Sequence, residues 1–531
     1  MRLNPVVCGL AAFIGIVSMT NAQSATYKTV LDNGLTILVR EDHSAPVVSA
    51  QTWCRAGSIT EGRQMGAGLS HVLEHMLFKG TPTRGVGAIP HAVQAHGGSM
   101  NAYTSYEQTV YYIDLPSEHW RVAVDILADC MMNATIPEDE LLKEKQVILR
   151  EMAMGVDDPG RRSYKLMWNT AYTTHPYRHP VIGYPEIYDR LTRDDVVAYY
   201  KKMYVPNNLI FCVAGAVQND TVVAHIKELT KNFKMTALEP LALPAEPPQV
   251  SLRQRFEEAP VQLASLNLSW HIPATTDPDV PALDVLAVVA GNGRSSRLYR
   301  EVQQKTGLVH SISAGAYTPG HPGLFLIAAS ADGANRDAAL TAIRQEMKKF
   351  TTTAISAEEC RKAIKMFVTD HYEKLTTMSG QAADIGHSEF LVGDPNYSDT
   401  YLATVKQVTP ADVLRVAKKY LTDDNLTLTA LCPTGTIAKA TATATGKSAI
   451  NIQRIELPNG IRLLVREDHK LPFIELHALF KGGVLTETAD NTGISKLTGR
   501  MLVKGTAKRT ADQIADAVEA DRKSTRLNSS H

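Results

Sequence analysis

Residues 68–81 read GLSHVLEHMLFKGT, with His71 and His75 four apart and Glu74 just before the second histidine. No glycine or proline interrupts Leu69 to Lys79, and Leu69, Val72, Leu73, Met76 and Leu77 are helix formers or apolar fillers, so the segment is predicted to be helical. On a helix, positions 71 and 75 lie about 40° apart in projection and 74 lies about 60° from 71, so the three side chains share one face. Two neutral imidazoles so placed can bind one Zn²⁺ at about 2.0–2.1 Å each, with the carboxylate between them in reach of a water beside the ion. The plain alternative is a pair of helix-face histidines satisfied by backbone carbonyls.

A catalytic zinc takes a third protein ligand and keeps its fourth position open. The candidate source is IPEDELLKEKQVILREMAMGVDDPG at 136–160, a helix whose start is marked by Pro137 and by Glu138, Asp139 and Glu140 at the positive end of its dipole. Glu144 and Glu151 stand seven apart, close to two turns, and so face the same way. One can ligate while the other orients a neighbouring group. Equally, glutamates among Lys143, Lys145 and Arg150 are what a solvated helix displays, and the spacing leaves both readings open.

These segments need a scaffold, and the chain is long enough to build one. Its 531 residues, 44% hydrophobic, fill two to four domains of ordinary size. Lys+Arg and Asp+Glu cancel at 55 each, which speaks against nucleic acid or a charged polymer as partner. The N-terminus has Arg2 ahead of an apolar run from Val6 to Met19 and small residues at Thr20 and Ala22. Residues 1–22 are therefore predicted to be a secretory signal peptide, which sends the chain across the inner membrane to the periplasm. The run is shorter than the ~20 residues of a spanning helix, so no permanent membrane span is expected. Cys54, Cys130, Cys212, Cys360 and Cys432 are spread without paired spacing, neither a disulfide framework nor a zinc ribbon.

Internal repetition organises the chain. LDNGLTILVREDH at 31–43 returns as LPNGIRLLVREDH at 457–469, and GLSHVLEHMLFKGT returns as GISKLTGRMLVKGT at 493–506. Each copy opens with an Asn-Gly turn feeding a β-type run, Leu35 to Val39 or Ile461 to Val465. Two linkers are expected, LALPAEPPQV at 241–250 and TIAKATATATGKSA at 436–449. Between them a second unit mixes strands such as LFLIAAS (324–330) with amphipathic helices such as DAALTAIRQEMKKF (337–350). The expected division is a first domain at 23–245, a second at 246–435, a linker at 436–450, a partial third domain at 451–520 copying the first, and a non-matching tail at 521–531.

The His-x-x-Glu-His order, with a later glutamate in a helix reading EKQVILREM, resembles the pitrilysin/insulinase family of zinc peptidases, the inverzincins. GGSMNAYTSYEQTVYYIDLP (97–116), HPYRHPVIGYPEIYDRLTRDDVVAYYKKMYVPNNLIFCVAG (175–215) and GNGRSSRLYREVQQKTGLVHSISA (291–314) resemble family segments in the same order. The resemblance implies repeated α+β domains, each a mixed, mostly antiparallel sheet packed with helices. It also implies His71, His75 and Glu151 as zinc ligands, Glu74 as general base and Glu144 as the glutamate that supports the ligand shell. It implies further that an extended peptide or unfolded segment adds to a strand at the site, placing Gly98, Ser99, Asn101, Ala102 and Tyr103 against substrate. Gly97 and Gly98 are expected to allow close backbone approach there.

Two departures from the family pattern matter. In the third-domain copy Lys496, Gly499 and Arg500 stand where His71, Glu74 and His75 stand in the first, so that copy cannot be catalytic. The inactive half of fused relatives supplies an Arg and a Tyr that hold substrate, and such positions would lie beyond residue 531, so a homodimer or a partner half is expected to complete the chamber. His310 follows GLV where many relatives have Tyr, and Arg297 and Tyr299 are given no role beyond packing. The readings that remain beside a zinc endopeptidase are a non-peptidase binding or assembly subunit with the same fold, and a processing peptidase for one precursor.

Overall fold

The computed structural model describes residues 25–437, 452–466, 477–480, 483, 486–502, 504–511 and 513–514. The expected signal peptide, nearly all of the 436–450 linker and the 521–531 tail lie outside them. The chain forms two compact units, one ending at Lys439 and one beginning at Ala440.

The first unit contains two sheets. The N-terminal one has six strands, β1 (Tyr27–Val30), β2 (Thr36–Glu41), β3 (Val47–Cys54), β4 (Ser99–Thr104), β5 (Thr109–Pro116) and β6 (Leu209–Gly215), in the order β1-β2-β6-β3-β5-β4. Only β2 and β6 pair in parallel. Both faces are covered, so β3 and β6 are buried almost throughout, and β6 is apolar along its length. Side chains alternate between the faces. Ile37 and Val39 enter the main core with Leu73 and Val124, while Leu38 enters a smaller cluster with Trp53, Val110 and Ile210.

On the main-core side lie α1 (Leu69–Leu77), α2 (Ala88–Ala95), α3 (Trp120–Asn133), α4 (Glu138–Asp157), then α5 (Pro159–Ala171), α6 (Pro185–Tyr188), α7 (Arg193–Met203) and α8 (Asn219–Leu229) follow in sequence. Helix α4 begins where Pro137 and the three acids place it.

The second sheet comprises β7 (Arg253–Ala259), β8 (Ala264–Ile272), β9 (Ser311–Tyr317), β10 (Gly323–Ala331) and β11 (Leu426–Pro433), in the order β7-β11-β8-β10-β9. Its one parallel pair, β7 with β11, matches β2 with β6, and the antiparallel run β11-β8-β10-β9 matches β6-β3-β5-β4. The two sheets therefore share one topology, β1 apart, and the lead into the parallel strand repeats in sequence as well, TRDDVVAYYKKMYVPNNL at 192–209 and TPADVLRVAKKYLTDDNL at 409–426, each opening on a Thr–Asp capping box. The accompanying helices are α9 (Val280–Gly291), α10 (Arg336–Thr352), α11 (Ala357–Lys374), α12 (Met378–Val392), α13 (Tyr397–Val405) and α14 (Pro410–Tyr420). This is the mixed, mostly antiparallel α+β architecture expected from the resemblance.

One helix is exchanged in each direction. Helix α5 packs on β7, β8 and β11 of the second sheet, and α12 packs on β2, β3 and β6 of the first. Trp168 of α5 and Tyr172 just after it stack in an aromatic cluster with Tyr106 and Tyr177, while Ala382, Ile385 and Phe390 of α12 close the Trp53 cluster. The segment 241–250 is also tied down. Glu246, inside it, accepts the backbone N–H groups of Thr173, Thr174 and His175 at 2.8–3.0 Å. These bonds outweigh the burial that opposes them and hold its carboxyl down at about 2. The segment expected as a linker has no helix or strand and is fastened to the first domain through Glu246, an attachment that its composition does not show.

In the second unit β12 (Ile452–Glu456) and β13 (Arg462–Arg466) form an antiparallel hairpin, and α15 (Ile494–Met501) carries Lys496, Gly499 and Arg500. Cys54, Cys130, Cys212, Cys360 and Cys432, the cysteines among the described residues, are buried and unpaired. Among the described residues no helix is long and apolar enough to cross a membrane.

Candidate metal and active site

Helix α1 starts at Gly68, whose φ of 71° is a left-handed value that a glycine adopts without strain. The carboxylate of buried Glu61 accepts the N–H groups of Gly68 and Ser70 at 3.1 and 3.0 Å, satisfying donors that a helix start leaves open. Leu69, Val72, Leu73, Met76 and Leu77 are buried, so His71, Glu74 and His75 share the opposite, half-buried face. That face meets α4, which packs on α1.

The imidazoles of His71 and His75 lie 4.8 Å apart between ring centres. Glu151 Oε2 stands 3.8 Å from His71 Nε2 and 4.0 Å from His75 Nε2. His71, His75 and Glu151 each offer one donor atom within 4.8 Å of the others, the only such group of three among the described residues. Tetrahedral ligands at about 2.0–2.1 Å from an ion stand roughly 3.4 Å apart, so a small inward movement brings all three to bonding distance. The donor set, two imidazole nitrogens and one carboxylate oxygen, suits a divalent transition metal.

Glu144 lies apart from this convergence. Its Oε2 is 3.0 Å from His75 Nδ1, and a carboxylate only accepts, so Nδ1 carries the proton and Nε2 keeps its lone pair. Its Oε1 accepts from the Lys79 ammonium at 2.6 Å. Burial raises the Glu144 carboxyl, but the Lys79 and His75 bonds overcome it and hold the group below its ordinary range. His71 is pushed down to about 3, chiefly by burial and then by its neighbour His75, which keeps it neutral and able to ligate. Its buried Nδ1 has no hydrogen-bond partner.

Glu74 is held by a residue the sequence reading did not single out. Thr104 Oγ1, at the end of β4, donates to Glu74 Oε2 at 2.6 Å, while Thr109 Oγ1 sits 3.4 Å behind it. Burial raises the Glu74 carboxyl and the Thr104 bond only partly offsets this, which makes it a stronger base than an exposed glutamate. Arg161 Nη1 stands 3.4 Å from the second oxygen of Glu151. Lys79 continues the four-residue spacing of His71 and His75, whereas Thr104 and Arg161 carry no spacing signal of their own and are brought to the site by packing.

Strand β4 is an edge of the first sheet, paired only with β5. Ser99, Asn101 and Tyr103 are exposed and Met100, Ala102 and Thr104 half-buried, the alternation of an open edge. Asn101 Oδ1 accepts from Ala102 N at 2.9 Å, and the Tyr103 ring meets Trp53 edge-on. The close approach permitted by Gly98 is to the neighbouring strand. A Cβ there would fall 2.2 Å from Leu115 Cδ2 and 2.4 Å from Asp114 O, so this glycine is needed to seat β4 on β5. Arg297, as expected, packs, forking onto Glu359 at 2.8 and 2.9 Å with its plane over Phe350.

A pair of topologically equivalent α+β domains, one of them holding two histidines and a glutamate around a common point, defines a metallopeptidase-type architecture. Comparison with known proteins agrees. Residues 36–184 match the model of the insulinase family, peptidase family M16, and residues 190–367 match that of the M16 inactive domain. An uncharacterized zinc protease of Streptomyces coelicolor is 31% identical over 401 residues, covering 74% of this chain and 87% of its own. A probable mitochondrial-processing peptidase beta subunit of Arabidopsis thaliana is 28% identical over 420 residues, covering 77% and 78%. The crystal structure of a Helicobacter pylori protease superposes with a TM-score of 0.73 at 26% identity, covering 77% of this chain and all of that one. The chain belongs to the insulinase family of zinc peptidases, peptidase family M16.

Proposed function

We propose that the chain is a zinc-dependent endopeptidase that cleaves peptides or unfolded segments, with His71, His75 and Glu151 on the metal and Glu74 as general base. The observation that carries this reading is the convergence of His71 Nε2, His75 Nε2 and Glu151 Oε2 beside the buried carboxylate of Glu74. Zinc, when bound, supplies a Lewis acid that polarises the scissile carbonyl and makes nearby water more acidic. Glu74 takes the water proton and passes it to the leaving amine. Thr104 fixes the orientation of Glu74, and Glu144 fixes the tautomer of His75. The free edge of β4, from Ser99 to Thr104, lines up the substrate by main-chain hydrogen bonds, with Asn101, Ala102 and Tyr103 beside it.

The localisation we propose is the periplasm, on the composition of residues 1–22. A second copy or a separate half is the partner proposed to close the chamber.

The test is one preparation of residues 23–531 assayed for zinc and for cleavage of a mixed peptide library. One zinc per chain and cleavage abolished by chelator are expected. Zinc-free protein that still cleaves would remove the metal from the reading, and zinc-loaded protein that cleaves nothing would favour the binding-subunit alternative.

A further inference from the structure

At the end of β4 the site opens into a cleft of about 830 Å³. Thr104, which bonds Glu74, and Glu151 are among its lining residues, so a peptide laid along β4 past the reacting centre continues into it. Its walls are aromatic, with Tyr106, Tyr164, Trp168 and Tyr317 contributing rings. Its charge is one-sided. Arg161, Arg162, Lys165, Arg178 and Arg255 line it against two carboxylates, Glu151 and Glu257.

Those carboxylates do not neutralise the cations. Glu257 takes Arg255 at 2.7 Å and has Arg162 at 3.7 Å, and Glu151 faces the histidines. Arg161 has only its 3.4 Å contact to Glu151. The Lys165 ammonium stands 4.8 Å from the Tyr184 ring centre and makes no ion pair among the described residues. Arg178 gives Nη1 to the Thr173 carbonyl, while its buried Nε has no partner.

We propose that this cleft is a substrate subsite for an acidic side chain, Asp or Glu, received by Lys165, Arg161 and Arg178 with its stem along the aromatic walls. The proposal rests on the peptidase reading and names the class of peptide that the site prefers. Charge complementarity selects it, because Lys or Arg at the same place would meet Lys165 and Arg178, which make no ion pair among the described residues, with Arg161 beside them.

The experiment uses the full chain carrying Glu74→Gln, so that peptides bind without being consumed. Fluorescent decapeptides differing only in a Glu, Gln or Lys scanned along the sequence are titrated by anisotropy. At one or two adjacent positions Glu should bind about tenfold tighter than Gln, the ratio one charge-assisted hydrogen bond gives, with Lys weaker than both. The preference should shrink with added salt. Adding Lys165→Glu should reverse the order, Lys peptides now binding more tightly than Glu peptides. Should that variant misfold by circular dichroism, Arg178→Gln replaces it and should erase most of the Glu advantage.

Equal affinity for all three peptides at every position, or no binding at all, overturns the subsite. So does a Glu preference that survives charge reversal at 165. Cleavage by the unsubstituted chain is scored separately. Preference without cleavage removes the peptidase and leaves the subsite, and cleavage without preference does the opposite.

Discussion

Helices α1 and α15 begin alike. Gly68 and Gly493 both take left-handed backbone angles, φ 71° and 89°, and in each case a glutamate carboxylate accepts the N–H of that glycine and of the serine two residues on. Glu61 does so at 3.1 and 3.0 Å and Glu487 at 2.6 and 3.0 Å. One face later the two part. His71, Glu74 and His75 in α1 correspond to Lys496, Gly499 and Arg500 in α15, and the six buried residues of α1 have no buried counterpart in α15. The entry to the helix is therefore a matter of backbone satisfaction and persists without the chemistry. The ligands are side chains on an already formed helix, free to change without disturbing its start.

The sharpest way to break that comparison is at the reacting centre. Glu74→Gln keeps the shape of the side chain and all three metal donors but removes the proton acceptor, so turnover should fall by about 10²–10⁴-fold while bound zinc stays at the parent level. Parent-like turnover would take the base away from Glu74. The converse change, Lys496→His with Gly499→Glu and Arg500→His, should add no second zinc, because it supplies no third ligand in the place that Glu151 takes opposite α1. A second equivalent of metal would show that the helix face alone suffices.

The next effect separates the two glutamates of α4. Glu151→Ala removes a donor and should leave the purified chain without stoichiometric zinc. Glu144→Ala removes only the acceptor that orients His75, and should weaken zinc binding by about 10–100-fold, measured by competition with a chelator dye. If the two variants lost zinc equally, or Glu144→Ala lost more, the assignment of ligand and supporting residue would be reversed.

Much of this was legible in the residues themselves, for a physical reason. Spacing of three, four and seven on a helix dictates a shared face, so His71, Glu74, His75, Glu144 and Glu151 were readable as candidates before any packing was known. What the spacing could not carry is contact between distant segments. Thr104 meets Glu74 across 30 positions, β7 pairs with β11 across more than 160, and α5 and α12 each pack on the other domain's sheet. At 241–250 proline content reports stiffness, while the attachment through Glu246 rests on contacts with residues 173–175 that composition does not carry. Glu61 was missed for the same reason. A glutamate seven residues before a helix is not a local cap signal, and only the folded loop delivers it to Gly68 and Ser70.

The smallest effect concerns the two caps themselves, where the same pair of backbone donors coexists with opposite shifts. Glu487 is only half-buried, and its bonds to Gly493 and Ser495 hold its carboxyl below the ordinary range. Glu61 makes the same bonds, yet burial overrides them and pushes it up to about 8. A folded-state value above the ordinary 4.5 means that the folded chain holds this proton more tightly than the unfolded one. The proton-linked stability from Glu61 is therefore full below pH 4.5 and is lost as pH rises through about 8. Glu61→Gln cannot ionise, so the difference in melting temperature between the parent and Glu61→Gln should move steadily against the parent from pH 5 to 8. Glu487→Gln should show no such drift in that window, since its cap is already ionised throughout. A parent that gained on Glu61→Gln with rising pH would mean that the two N–H groups, rather than burial, set the charge of Glu61, and the contrast between the caps would disappear.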